Sequence, residues 1–331
     1  MPETNMTLPD AWEKQVLPEI DHIAESTLKE YRSSLGLWKT LTGNPTCDQI
    51  NRETVRHFRD KLISTPYRRG GQKKVGQRTP STVNRVMRDI HVTISPLWPA
   101  DRSNPSGLNL IPYFKWPRNL QHQKQLPFVF TAADLDRLYL NCNAARQPSK
   151  FARWCPMNEP RLWRLALVLA LNCGARTWDL FDFKISKIRL NEPEPYQFGS
   201  ISFHAQKTGK LHRFPLNECA AKHLKAYLAD PITWHGQTDR LFPGFYKGQT
   251  FYKTWKRICT AAESSGTFES MRKTCVTRHN SVVWNAGFWL SGHVQTGVFG
   301  HYDNPSDRIF EAVYGLEQPA EFVRGAAALG V

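Results

Sequence analysis

The chain has 331 residues, 40% of them hydrophobic and 22% charged, which is enough for two globular domains and too apolar for a disordered chain. Its formal net charge of +15 points to a polyanionic partner. Seven cysteines lie scattered without a CxxC pair or a Cys/His cluster at zinc spacing, and the longest apolar run, LALVLALNCGA, is too short for a bilayer; this argues against a disulfide framework, a structural zinc and a membrane span.

Residues 1–17 are acidic and polar, unlike a signal peptide, and read as a loose N-terminal arm. STLKEYRSSLGLWKTLTG places Leu28, Tyr31, Leu35 and Leu37 or Trp38 near helical spacing, and TCDQINRETVRHFRDKLIS does the same with Ile50, Val55, Phe58, Leu62 and Ile63. YRRGGQKKVGQRTP breaks the period with glycine, proline and charge, so it reads as a loop. STVNRVMRDIHVTISPLW restores it, with Ser81 as cap and Val83, Val86, Met87, Ile90 and Ile94 inside. These segments predict a helical domain of about four helices over residues 18–108. Charge is concentrated here: residues 51–100 carry eleven Lys/Arg against three Asp/Glu, whereas residues 1–50 carry four against eight. Arg68, Arg69, Lys73, Lys74 and Arg78 in the loop, with Arg85 and Arg88 on the next helix, are the expected phosphate contacts.

DRSNPSGLNLIPYFKWPRNLQHQKQLPF lacks periodicity, and residues 109–128 are expected to form a linker. A second domain is expected over 129–331. Thr131 caps its first helix, and PRLWRLALVLALNCGA is its central one. KISKIRL, FGSISFHAQ and KLHRFPL are β-like, the last two joined by KTG. CAAKHLKAYLAD, TFYKTWKRICTAAE, MRKTCVTRHNSVVWNAG and SDRIFEAVYGL read as helices. The fold class is therefore mainly α: a helical domain followed by a mixed α/β domain with a small three-stranded antiparallel sheet.

Arg176 in LNCGARTWDL follows the central helix, where a guanidinium taken alone reads as a C-terminal cap. Set beside Lys207, Arg272, His293 and Tyr302 it has another use. Two guanidiniums can hold the non-bridging oxygens of a phosphodiester, a tyrosine can attack phosphorus, and a lysine and a histidine can move the protons.

Here the chain resembles the tyrosine recombinases, the phage integrase family of DNA strand-exchange enzymes, over roughly residues 20–331. GARTWDL looks like the first arginine box, with Arg176 and the acidic Asp179 three residues on. QKTGKLHRFPL looks like the hairpin lysine at Lys207, SMRKTCVT like the second arginine box at Arg272, and LSGH like the histidine box at His293. In the family the nucleophile lies nine residues past that histidine, which selects Tyr302; nine past His301 falls on Phe310. Lys210, Lys273, Arg278 and Tyr314 are the competing positions. The chain departs from the family at Glu269, where a histidine or lysine is usual, and Glu269 and Asp179 are assigned supporting roles.

The resemblance implies cleavage and rejoining of double-stranded DNA through a 3′-phosphotyrosyl intermediate, with no metal, ATP or other cofactor, by a homo-tetramer on two duplexes. The apolar tail after Tyr302 is expected to dock on a neighbouring subunit, and the protein to be soluble and cytoplasmic. A type IB-like topoisomerase would use the same chemistry as a monomer. A catalytically inactive DNA-binding regulator is the reading that Glu269 raises.

Overall fold

The computed structural model describes residues 5–20, 23–68, 75–121, 126–146, 159–229, 238–245, 248–291 and 306–329. The chain divides into two compact units, Met1–Gln125 and Leu126–Val331.

The first unit is helical. Its helices are α1 (Leu8–Ala11), α2 (Glu25–Thr42), α3 (Arg52–Ser64) and α4 (Pro80–Ile94), with a two-residue ladder of β1 (Tyr67–Arg68) and β2 (Val75–Gly76) between α3 and α4. Apolar positions spaced by three and four on α4 (Val83, Val86, Ile90 and Ile94) bury against Trp38 of α2 and Phe58 and Leu62 of α3. Asn51 starts α3 by accepting from the amides of Glu53 (2.9 Å) and Thr54 (3.0 Å). Thr79, not Ser81, caps α4, because Pro80 takes the first helical position, where a missing N–H costs nothing. Asp89, buried on α4, accepts from Ser34 of α2 at 2.9 Å and from Arg85 at 3.2 Å.

Two stretches expected to be loose are part of this core. Leu8, Ala11, Trp12 and Val16 are buried in it, so the N-terminal arm is folded from α1 through the π turn Trp12–Val16. Its four apolar residues repeat at helical spacing among polar neighbours, a pattern too short to register as a helix by eye. Within the expected linker, Ile111 is fully buried, and the Asn84 side chain clamps Leu120, donating to its carbonyl (2.9 Å) and accepting from its amide (2.8 Å). A proline-rich extended strap shows no period yet still buries selected residues.

The second unit is built around α6 (Pro160–Cys173), which is charged only at Arg161 and Arg164 in its first turns and is buried at every position from Leu165 to Cys173. α5 (Ala132–Leu140), α8 (Glu218–Ala229) and α10 (Ser270–Val282) pack on it. Thr131 and Asp134 cap α5 reciprocally. The short α7 (Thr177–Phe181) follows α6. β3 (Ile188–Arg189), β4 (Ser200–His204) and β5 (Leu211–Pro215) form one antiparallel sheet in the order β3-β4-β5, with Ile188 opposite Ile201 and Phe203 opposite His212. α9 (Gln249–Ala261) sends Phe251 and Trp255 against Trp163 of α6, at centroid distances of 5.1 and 6.2 Å. α11 (Ala286–Leu290), α12 (Ser306–Tyr314) and α13 (Ala320–Ala328) complete the unit.

The tail packs into its own unit: Phe322 and Ala326 of α13 are buried in its core, and Gln318 exchanges amide hydrogen bonds with Asn172 of α6 (3.1 and 3.0 Å). Part of the tail's apolar surface is used in place, while Val323 and Leu329 stay exposed. No helix among the described residues is long and apolar enough to cross a membrane, and the six described cysteines are free and buried.

Candidate active site

Gly174 ends α6 in a left-handed turn (φ +56°), and a Cβ there would meet the Cys275 sulfur at 3.0 Å. The chain then runs extended through Arg176 into α7. Asp179, 2% exposed on α7, divides its carboxylate between two partners. Oδ2 lies 3.6 Å from the Arg176 guanidinium, and Oδ1 accepts from the Gln206 amide at 2.9 Å. Gln206 directly precedes Lys207, so one buried carboxylate ties the first arginine to the turn that carries the lysine. That turn is held by Ala205 N to Lys210 O (2.9 Å) and Gly209 N to Ala205 O (2.8 Å), and both Lys207 and Lys210 are exposed on it.

Arg272 enters from the first turn of α10. Its Nη1 donates to the Gly174 carbonyl (2.5 Å) and its Nη2 to the Ser291 carbonyl. It therefore fastens the end of α6 to the start of LSGH. Burial, then the charge of Arg176, lowers its pKa to about 10, so it remains a cation at neutral pH beside another cation. An anion between the two would relieve their repulsion. His212 on β5 lies within QKTGKLHRFPL, which assigns a role to Lys207 alone. It stacks on Phe203 at 5.4 Å, and burial, with Arg176, Arg272 and Lys210 acting against Asp179, holds its pKa below the usual histidine range.

His293 and Tyr302 lie outside the described residues, as do Arg69, Lys73 and Lys74. Of the competitors, Tyr314 donates its hydroxyl to the Pro195 carbonyl and packs on Phe198 and Phe310, and burial raises its pKa. Arg278 donates to the Glu317 carbonyl at 2.6 Å, while Lys273 is exposed. Glu269 is exposed just before α10, and its charge adds to the burial that raises the Tyr252 phenol on α9. Among the described residues no group of three or more His, Cys, Asp or Glu could hold a metal.

The expected DNA contacts of the first unit divide. The backbone of Arg68 pairs with Val75, and its side chain lies outside the described set. Arg78 is turned inward, donating to the carbonyls of Leu62 (3.3 Å) and Thr65 (3.0 Å) and lying over the Tyr67 ring at 4.9 Å. Arg85 pairs with Glu30 (3.4 Å) and Asp89, and Arg88 stands 4.0 Å from Asp89 with 71% of its side chain exposed. The i,i+4 spacing of Arg85 and Asp89 is a sequence signal for that pair, but none marks the Leu62 and Thr65 carbonyls that Arg78 holds or the Glu30 that Arg85 reaches.

The phage integrase family profile matches residues 130–304, a span that contains all five candidate catalytic positions. A lambda integrase dimer bound to a COC′ core site shares 15% identity and a TM-score of 0.58 over 88% of this chain and 96% of that one. A lambda integrase tetramer bound to a Holliday junction shares 16% and 0.58 over 92% and 79%. A XerH site-specific recombinase bound to palindromic difH substrate shares 14% and 0.51 over 91% and 77%. At these identities the likeness is one of fold. No curated protein matches the chain.

Proposed function

The chain belongs to the phage integrase family and is a tyrosine-type site-specific recombinase, and from that premise we propose that it cuts and rejoins double-stranded DNA through a 3′-phosphotyrosyl intermediate. Arg176 and Arg272 hold the non-bridging oxygens of the scissile phosphate. The Tyr302 oxygen attacks phosphorus as its proton leaves, with His293 hydrogen-bonding the phosphate or assisting that proton. The bond to the 5′ oxygen breaks, and Lys207 protonates that oxygen. A 5′-hydroxyl from the partner duplex then attacks phosphorus and releases Tyr302. One phosphate ester replaces another, so the bond energy is kept and neither ATP nor a metal is needed. A free phenol titrates near ~10, so the cationic pair must favour the phenolate as charge develops.

The observation that carries this reading is the Asp179 carboxylate. It faces Arg176 with one oxygen and fixes the Lys207 turn with the other, while Arg272 lies within the field of Arg176. The first unit serves as a core-binding domain and the second as the catalytic domain. By analogy with the related dimer on a core site and tetramer on a Holliday junction, the active assembly is a homo-tetramer on two duplexes. Strand exchange tests this, using two duplexes drawn from the DNA that flanks the gene, one of them labelled. Recombinant products are expected. Relaxation of supercoiled DNA without exchange would make the protein a topoisomerase, and binding without cleavage would make it a regulator.

A further inference from the structure

The three-stranded sheet buries one face against the core of its unit, through Ile188, Ile201, Phe203 and Phe214. The register puts Arg189 opposite Ser200, Ser202 opposite Arg213, and His204 opposite Leu211 on the other face. One end of that face is closed: Arg213 pairs with Glu192 and lies over the Tyr196 ring at 3.8 Å. The other end is an open groove of about 560 Å³ lined by Lys184, Lys187 and Arg189 with Asp182, Ser202 and His204, and by the apolar Phe203 and Leu211. Lys184, Lys187 and Arg189 are exposed.

The carboxylates nearby are already engaged. Asp182 pairs with Arg240 at 3.3 Å, and Asp239 accepts from the Ser186 amide (2.8 Å) and hydroxyl (2.6 Å). Those Ser186 bonds, then the charges of Lys184 and Lys187, hold the Asp239 carboxyl below its usual range. The groove's three cations thus stand against one lining carboxylate, Asp182, which Arg240 already pairs, and no element among the described residues covers the groove. It also leads to the candidate site, because His204 ends β4 three residues before Lys207.

We propose that this groove is a second DNA contact, seating the phosphate backbone of the duplex beside the cleavage point and adding affinity without reading sequence. It rests on the DNA-cleaving role assigned to the same unit. Phosphate fits better than a protein partner, because the charge excess sits on a concave strip only three strands wide.

The test is binding of the full chain to short duplexes of unrelated sequence over a range of salt. Lys184→Gln/Lys187→Gln/Arg189→Gln should weaken binding to all of them alike and flatten the slope of log affinity against log salt by about three units, at ~0.9 per lost phosphate contact. Arg189 also donates to the Ser186 and Ile188 carbonyls. The double variant Lys184→Gln/Lys187→Gln keeps those bonds and should flatten the slope by about two units. A wild-type slope in the double variant overturns the proposal. Covalent adduct scored in parallel separates the two readings. Adduct with a groove-independent slope removes the groove and keeps the phosphotyrosyl chemistry. A groove-dependent slope with no adduct does the reverse.

Discussion

Asp179 has two partners and can be tested through either. If it acts by fixing the Lys207 turn, Asp179→Ala should slow cleavage on the order of 10²-fold, the low end of what a positioned acid contributes. A bridging sulfur at the scissile 5′ position leaves without a proton, so it should restore Lys207→Ala almost fully, Asp179→Ala in part, and Arg176→Ala not at all. No restoration of Asp179→Ala would confine its action to Arg176. The arginines, the lysine and Asp179 are legible in the sequence because each is a side-chain type at a recognisable interval. The other half of the arrangement is not, because the Gln206 amide and the Gly174 and Ser291 carbonyls are backbone groups that any residue supplies. His279 is a second case. It is fully buried, donates from Nδ1 to the Cys275 carbonyl at 2.9 Å, leaves Nε2 without a partner among the described residues, and has its pKa lowered by burial from 6.5 to about 4. The folded state therefore binds fewer protons, and the stability that neutral His279 allows is present above pH 6.5 and lost as pH falls toward 4. Between pH 7 and 5 the loss is about 2 kcal/mol. Denaturant unfolding at the two pH values should show a shallower decline for His279→Leu; an unchanged decline would mean His279 takes its proton within the fold.

Among the elements, α4 is legible nearly to the residue because its apolar positions repeat cleanly, whereas α1 and the strap through Ile111 are not, because their burial depends on surfaces supplied by α2 to α4. The tail shows the same limit. Its apolar content is plain from sequence, but content does not say which surface it meets. Phe322 is fully buried within its own unit, so Phe322→Ala should destabilise that unit by about 3–5 kcal/mol. Gln318→Leu removes two hydrogen bonds to Asn172, whose amide keeps the Val168 carbonyl and the Asn217 side chain, and should cost about 1–2 kcal/mol. Thermal unfolding of the free protein measures both. A Phe322→Ala protein with unchanged melting but impaired assembly on DNA would place the tail on a neighbouring subunit instead.

For the whole molecule, the net charge of +15 and the family's boxes point to a DNA partner from the amino-acid sequence alone. They do not show that part of the basic region is internal. Arg78 serves carbonyls and Arg85 serves carboxylates, while the sheet face adds cations that no motif marks. Because the proposed chemistry uses only side chains, cleavage should survive excess EDTA; loss of cleavage with rescue by magnesium would assign the reaction to another class. The central claim is that Tyr302 carries the DNA. The direct measurement is covalent protein–DNA adduct on a denaturing gel, formed on nicked duplexes from the DNA flanking the gene. Wild type and Tyr314→Phe should form the adduct, and Tyr302→Phe should bind the same DNA and form none. Adduct from Tyr302→Phe, or its loss in Tyr314→Phe alone, would contradict the account.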